Sequence, residues 1–572
     1  MKIAINLDLR NPEQKYIKVT YEISGLTQKD LVVTFPTWTP GSYLIREYQG
    51  KVEDLVLTDS HGKMVRQQKT SKHQWQFEHI KTKSVTLTYR VYANTLSVRD
   101  AYADFELVYI TPCAVLCFLN NDLRLRPTLT ITQPKGWSLA LAKSASKGIY
   151  HFGDFEELFD TPVLSAKNLI IKNFTLKNNH YRVAYWGICH RDLNEVTSDL
   201  KKIVASENRI FHDCPSKNYL FQILFTKDAP AGGLEHRDSS TNLIDGSQLI
   251  NQDKYLPFLS LLAHEYFHLW NVKRIRPADF DRLDYTQERY TRELWMAEGI
   301  TRYYDDHTLQ RAKIYDPQKY LAVLGENISR MENNKACRVN SLSDASFDAW
   351  IRWYRPNENS ANRTISYYLK GGLVAMLLDF WIIKQSKGKF CLDQVMQQLY
   401  KNWQNHPDQG VTRQDFFLTV QKFAKTSPKG FVRNYLDGTK AIAWSKEFAP
   451  FGIKVLKKQD PKKNYLGISL KAQGDRIYIE QIIEDSPAFL SALQAGDEVL
   501  AINHECVRSV ADLDRFLSQK VLHFILGRRG VVVETTISLR PKSSPLFILE
   551  INKRLSSMQK RHLNKFLRDN SI

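Results

Sequence analysis

At 572 residues, 43% of them apolar and 25% charged, the chain is too long for one hydrophobic core and too apolar for disorder, so several folded domains with room for a catalytic core are expected. Its formal net charge of +19 is spread thinly, and neither a phosphate-binding glycine loop nor a dinucleotide fingerprint occurs, so no nucleic-acid partner and no nucleotide chemistry are expected. The seven cysteines form no CxxC pair, which argues against a disulfide framework; with no secretory leader and no apolar run near bilayer length, a reducing, cytoplasmic setting without a transmembrane segment is expected.

Residues 1–165 alternate apolar and polar side chains in short runs such as Lys18-Val19-Thr20-Tyr21-Glu22-Ile23 and Ser84-Val85-Thr86-Leu87-Thr88-Tyr89, the period of half-buried strands. An antiparallel β domain is predicted there. Further strand-like runs follow at Tyr181 to Gly187 and Tyr219 to Thr226. From there to about 445 the pattern turns helical, with periodic segments at Pro257 to Val272, Thr291 to Arg311 and Thr364 to Gln385. After about 455 short strands return around one helical stretch, and beyond them Lys553, Arg554, Lys560, Arg561, Lys565 and Arg568 stand almost unopposed on an expected helix. A solvated face is the main reading of that tail, a partner or membrane surface the other.

The chemistry centres on His264-Glu265-Tyr266-Phe267-His268, preceded by the apolar run Leu259-Ser260-Leu261-Leu262-Ala263. Helical residues four apart share a face, so His264 and His268 can present imidazoles to one metal ion while Glu265 stands beside the water that ion would activate. A third histidine at the spacing of one metzincin arrangement is excluded, because Arg274 occupies it and Asn271 takes the glycine position. The other arrangement draws its third ligand from a carboxylate on a following helix. Glu298, embedded in Leu294-Trp295-Met296-Ala297-Glu298-Gly299-Ile300, fits, since a carboxylate in such surroundings is costly unless paired or metal-bound.

This set resembles the gluzincin aminopeptidases, in which a WxxEG-type element follows the HExxH helix, and Trp270 is similar to a tryptophan of the alanyl aminopeptidases. Gly232-Gly233-Leu234-Glu235-His236 resembles their GxMEN exopeptidase motif but ends in histidine. Tyr368-Leu369-Lys370-Gly371 resembles the YxKG element that carries a catalytic tyrosine. Glu235 is therefore expected to anchor the substrate ammonium, with Gly232 and Gly233 beside it, and Tyr368 to donate to the oxyanion, Tyr367 being the competing choice. One position departs from the thermolysin pattern: Arg302 stands where an aspartate orients a zinc histidine, leaving Asp305 or Asp306 for that task.

Tyr465-Leu466-Gly467-Ile468 and Gly496-Asp497-Glu498-Val499-Leu500-Ala501-Ile502-Asn503 resemble the carboxylate-binding loop and core of PDZ domains, modules that bind a peptide end by strand addition. Such a module can capture substrate tails or brace the catalytic domain. Together with Gly232 to His236 and the run Pro36-Thr37-Trp38-Thr39-Pro40-Gly41-Ser42-Tyr43, it makes the chain resemble the bacterial glycyl aminopeptidases over nearly its whole length. The resemblance implies a multidomain α+β protein: a β-rich domain over 1–165, a thermolysin-like catalytic domain with a helical subdomain over 166–450, a PDZ-like domain over 451–545 and a basic helical tail over 546–572. It implies a peptidase with one zinc ion held by His264, His268 and Glu298, cutting peptides with a free N-terminus by Glu265-assisted attack of water, with preference for glycine and alanine. The competing reading is a catalytically weak, PDZ-mediated peptide-binding protein; an endopeptidase would use the same zinc set without the amine anchor.

Overall fold

The computed structural model describes residues 1–459, 463–542 and 544–568. Two compact units emerge, one of residues 1–290, 304–314 and 396–412, the other of 291–303, 315–395 and 413–568.

In the first unit, Lys2–Asp8 and Tyr16–Ser24 alternate buried and exposed side chains along their length, as strands with one wet face must. They lie in a six-stranded sheet ordered Tyr150–His151, Pro127–Thr132, Lys2–Asp8, Tyr16–Ser24, Ser84–Tyr92 and Val52–Asp59. Two four-stranded sheets accompany it, and their inward faces share a core that includes Ile5, Tyr21, Leu87, Phe118 and Phe155. Pairing here is antiparallel with one exception: Lys2–Asp8 runs parallel to Pro127–Thr132, a geometry reachable because a long stretch of chain separates them.

A five-stranded sheet follows, ordered Ile170–Leu176, Asn179–Gly187, Asn218–Phe225, Ser239–Ile244 and Gly232–Glu235. Its inner pairs are parallel, the first joined through the helix Leu193–Phe211 and the second through Gly232–Glu235, which forms an antiparallel edge. The helix Gln252–Phe267 comes next. It starts five residues before Pro257, because the Asn251 side chain accepts from Asp253 N at 2.9 Å and closes the N-terminus there. Pro257 is carried inside the helix, where its missing N–H leaves the Asp253 carbonyl without the usual i→i−4 bond.

The second unit holds the short π-helical turn Trp295–Gly299 and the helices Pro317–Glu332, Leu369–Gln385, Arg413–Ala424 and Ser557–Leu567. Leu369–Gln385 is buried almost all round, as its unbroken run Leu373 to Leu378 requires. A five-strand meander with a short side strand forms the last sheet, from Ile468–Gln473 to Val531–Ser538. Strands Ile453–Gln459 and Pro545–Ile551 pair antiparallel at its two ends. The segment expected as a helical tail from 546 thus opens as a strand, because Leu546, Ile548 and Ile551 belong to this pairing; its helix is Ser557–Leu567, closed by a capping box at Ser556 and Gln559. Nor is its basic face wholly solvated: the Arg568 side chain, 10% exposed, binds Asp379 at 3.0 Å and Asp393 at 3.3 Å. Among the described residues, no helix is long and apolar enough to cross a membrane.

Candidate active site

On the histidine side, His264 and His268 close the helix Gln252–Phe267 one turn apart, with rings 4.7 Å between centroids and nearly perpendicular. Each ring is fixed from behind. His264 Nδ1 lies 3.3 Å from Asp305 Oδ2, and His268 Nδ1 lies 2.7 Å from the Asn271 carbonyl. A neutral imidazole donating at Nδ1 keeps its lone pair on Nε2, the state a metal ligand needs. Of the two aspartates left open by the sequence, Asp305 faces the histidine, whereas Asp306 accepts from Ser260 Oγ at 3.0 Å. Trp270 lies behind the site, stacked on Phe211 at 4.6 Å.

Glu265 packs against the edge strand Gly232–Glu235. A Cβ on Gly233 would fall 2.1 Å from Glu265 Oε1, so only glycine permits this approach. Glu235, Glu265 and His268 each present one ligand-type atom within 4.8 Å of the others. The strand is held in turn by Arg99, whose Nη2 donates to the Gly233 carbonyl at 3.3 Å.

Glu235 is covered by the loop Pro36 to Tyr43. Gly41 has φ +84°, and a Cβ there would lie 2.6 Å from both carboxylate oxygens of Glu235; left-handed backbone and close approach both demand glycine. The loop is pinned by Thr37 N to Tyr285 O at 2.7 Å and Trp38 Nε1 to Asp284 O at 2.8 Å. Its inner wall, with Glu235, Phe280 and Tyr285, borders a cavity of about 360 Å³. His236, where the related motif has asparagine, gives Nδ1 to Asp160 Oδ1 at 3.0 Å, and Lys273 Nζ joins the same oxygen at 3.0 Å. Burial would push the Asp160 carboxyl up, but Lys273 and His236 outweigh it and hold the group well below the usual carboxylate range.

On the tyrosine side, Glu298 is buried in the π-helical turn Trp295–Gly299, and the helix Ile300–Arg311 continues from it without a break. The N-terminal end of Leu369–Gln385 crosses that turn at a glycine pair: a Cβ on Gly299 would sit 2.6 Å from Gly371 Cα. Tyr368 is the residue immediately before this helix and is half-buried, while Tyr367 is fully buried and stacked on it at 4.7 Å. Burial, with Glu298 and Tyr354 nearby, raises the Tyr368 phenol well above its ordinary value, so it remains a hydrogen-bond donor. Lys370 turns inward to the carbonyls of Asn340 and Cys337, at 3.1 and 3.3 Å, and burial lowers its pKa. Arg302 sits against Gly372, where a Cβ would meet its Cγ at 3.1 Å.

Sequence reasoning named Gly232, Gly233, Glu235, His264, Glu265, His268, Glu298 and Tyr368. It missed Arg99, Asp160 and Lys273, which are distant in sequence and carry no local signature. It met Gly41 only as part of a family run; the Pro-Gly pair signalled a tight turn but not the carboxylate beneath it.

Residues 257–374 match the family model for M61 glycyl aminopeptidase, residues 4–167 that for the peptidase M61 N-terminal domain, and residues 454–520 that for the PDZ domain. No curated protein matches the chain. Among solved structures, an aminopeptidase N family protein from Idiomarina loihiensis is 27% identical and superposes with a TM-score of 0.90, over 99% of this chain and all of that one. An M1 zinc metallopeptidase from Deinococcus radiodurans is 13% identical at a TM-score of 0.48, over 77% of this chain and 94% of that one.

Proposed function

We propose that this metallo-aminopeptidase, whose chain matches M61 glycyl aminopeptidase and PDZ family models, removes small N-terminal residues, glycine and alanine, from peptides with a free amine, using one zinc ion held by His264, His268 and Glu298. The observation that carries this reading is the histidine pair: two buried imidazoles on one helical face, each bonded through Nδ1 so that Nε2 keeps the lone pair. In this reading Glu298 is the third donor. It stands seven residues before Asp305 in one helical run, two turns along the same face, and Asp305 is bonded to His264. Two imidazoles and a carboxylate suit zinc with an open position.

Bound there, zinc supplies a Lewis acid that acidifies water and polarises the scissile carbonyl. The protein's own groups do the rest. Glu265 takes a proton from the attacking water and returns it to the leaving amine, in the manner of a general base that becomes a general acid. Tyr368, kept protonated, donates to the oxyanion of the tetrahedral intermediate. Glu235, beside Glu265 and under the Gly41 loop, accepts from the substrate ammonium and sets the register one residue from the end. Crowding by Gly41 against that carboxylate favours a small first residue, in line with the family's glycyl activity.

Hydrolysis of glycyl- and alanyl-p-nitroanilide tests the reading. Activity lost on chelation and regained with zinc, with an N-acetylated peptide rejected, is the expected result. Cleavage of the acetylated peptide would point to an endopeptidase, and bound zinc without turnover of any free-amine peptide to a peptide-binding protein.

A further inference from the structure

The segment that carries Tyr368 is fastened at both ends. After it, Lys370 is bonded to the Asn340 and Cys337 carbonyls. Before it, Asn340 Nδ2 donates to the Arg363 carbonyl at 3.0 Å, and Asn362 reaches into the PDZ module. The Asn362 side chain is buried and works like a peptide group in a ladder. Its Nδ2 donates to the Ile482 carbonyl at 2.9 Å, and its Oδ1 accepts from Glu484 N at 2.9 Å. A third bond, Nδ2 to Asn359 Oδ1 at 3.0 Å, fixes the amide plane.

Around this clamp lie Arg363 to Glu484 at 2.6 Å and Lys335 to Asp485 at 2.9 Å. Both pairs are partly exposed, and such pairs contribute little on their own. The amide therefore carries the connection. On its PDZ side the loop is itself anchored: Ile483 N donates to the Gly467 carbonyl at 2.8 Å, and Ser486 fills the space above Gly467, where a Cβ would lie 2.1 Å from it.

We propose that the PDZ module braces the catalytic tyrosine and that Asn362 is the positioning residue through which it does so, a reading that rests on Tyr368 as oxyanion donor. Asn362 touches no substrate. It sets where the chain leading to Tyr367 and Tyr368 begins, and a hydrogen-bond donor displaced by a fraction of an ångström serves the transition state less well than the ground state.

The test is a double-mutant cycle on the full chain with glycyl-p-nitroanilide. Asn362→Ala is expected to lower kcat about tenfold with KM changed by less than about twofold. In a Tyr368→Phe background the same substitution is expected to have no further effect, because the tyrosine it positions is gone. A merely structural role would give equal losses in both backgrounds, or a loss explained by the folded fraction, and either overturns the proposal. So does a folded Asn362→Ala enzyme with unchanged kcat while Tyr368→Phe is impaired; the oxyanion reading then survives and the brace alone falls. If Tyr368→Phe itself leaves kcat unchanged, the oxyanion reading fails and the brace with it. Should Asn362→Ala not fold, Asn362→Asp, which keeps the shape and the acceptor but loses the donor to the Ile482 carbonyl, serves instead, with a smaller kcat loss expected only when Tyr368 is present; an equal loss in both backgrounds, or none, overturns the proposal.

Discussion

His264, Glu265 and His268 lie within five consecutive residues of one helix, and each histidine is oriented by a group close at hand or one helix away. Tyr368 is held differently. Its place depends on a glycine crossing at Gly299 and Gly371, on Lys370 reaching two loop carbonyls, and on Asn362 grasping a module more than a hundred residues further along the chain. The histidine side draws its precision from helix geometry, which costs little to specify. The tyrosine side needs contacts between segments far apart in sequence, each of which carries the entropy cost of closing a long loop. The two histidines rest on the first kind of support, and the tyrosine proposed to donate one hydrogen bond rests on the second.

Substitutions on each side sharpen this contrast. Glu265→Gln is expected to cut kcat by roughly 10²–10⁴ while leaving the fold intact, because it removes the proton acceptor alone; steady-state kinetics beside a thermal melt check it. Unchanged turnover would break the assignment of the base. On the tyrosine side the cost of losing a distant contact should fall on stability. Arg568→Ala strands the Asp379 and Asp393 carboxylates, Asp379 being fully buried and also bonded to Tyr303 at 2.7 Å, and a loss of about 3–5 kcal/mol is expected in urea unfolding. An enzyme as stable as the parent would show that the Arg568 ion pairs are dispensable.

Asp305→Asn addresses the histidine side again. It keeps the shape but weakens the acceptor behind His264, and an affinity for zinc lower by about 10–100-fold is expected in a competition titration with a chelator. Gly41→Ala forces a side chain into a left-handed position and against Glu235. A rise in KM of roughly fivefold, equivalent to about 1 kcal/mol, is expected for glycyl-p-nitroanilide; a change confined to kcat would detach the loop from amine binding.

What the sequence disclosed follows the same division. The HExxH spacing, the buried Glu298 and the alternation of the N-terminal strands are local patterns, and periodicity exposes them. The bond of His264 to Asp305 rather than Asp306 depends on the phase of the helix that carries the two aspartates, which no local pattern discloses; nor does the sequence tell that Tyr368 stays half-exposed while Tyr367 is buried. The start of the histidine helix was hidden because proline marks a first turn by preference, whereas here the cap at Asn251 prevails. Arg99 and Asp160 have no neighbours in sequence that betray them, since their partners Gly233 and His236 lie on or just past an edge strand well downstream.

The pairing of Ile453–Gln459 with Pro545–Ile551 brings the PDZ module's way in and way out together, with Gln459 opposite Pro545. The outgoing strand also rests on the helix Pro317–Glu332, where Phe547 N donates to Ser329 Oγ at 2.8 Å and Gly325 leaves room for the Phe547 carbonyl. A segment whose two ends meet on a fixed stem behaves as a cassette. It can be exchanged for another of similar span, or spliced out to leave a hairpin, without rerouting the chain on either side, so the tether at Gln459 and Pro545 and the clamp at Asn362 are separable inventions: one lets the module be carried, the other puts it to use.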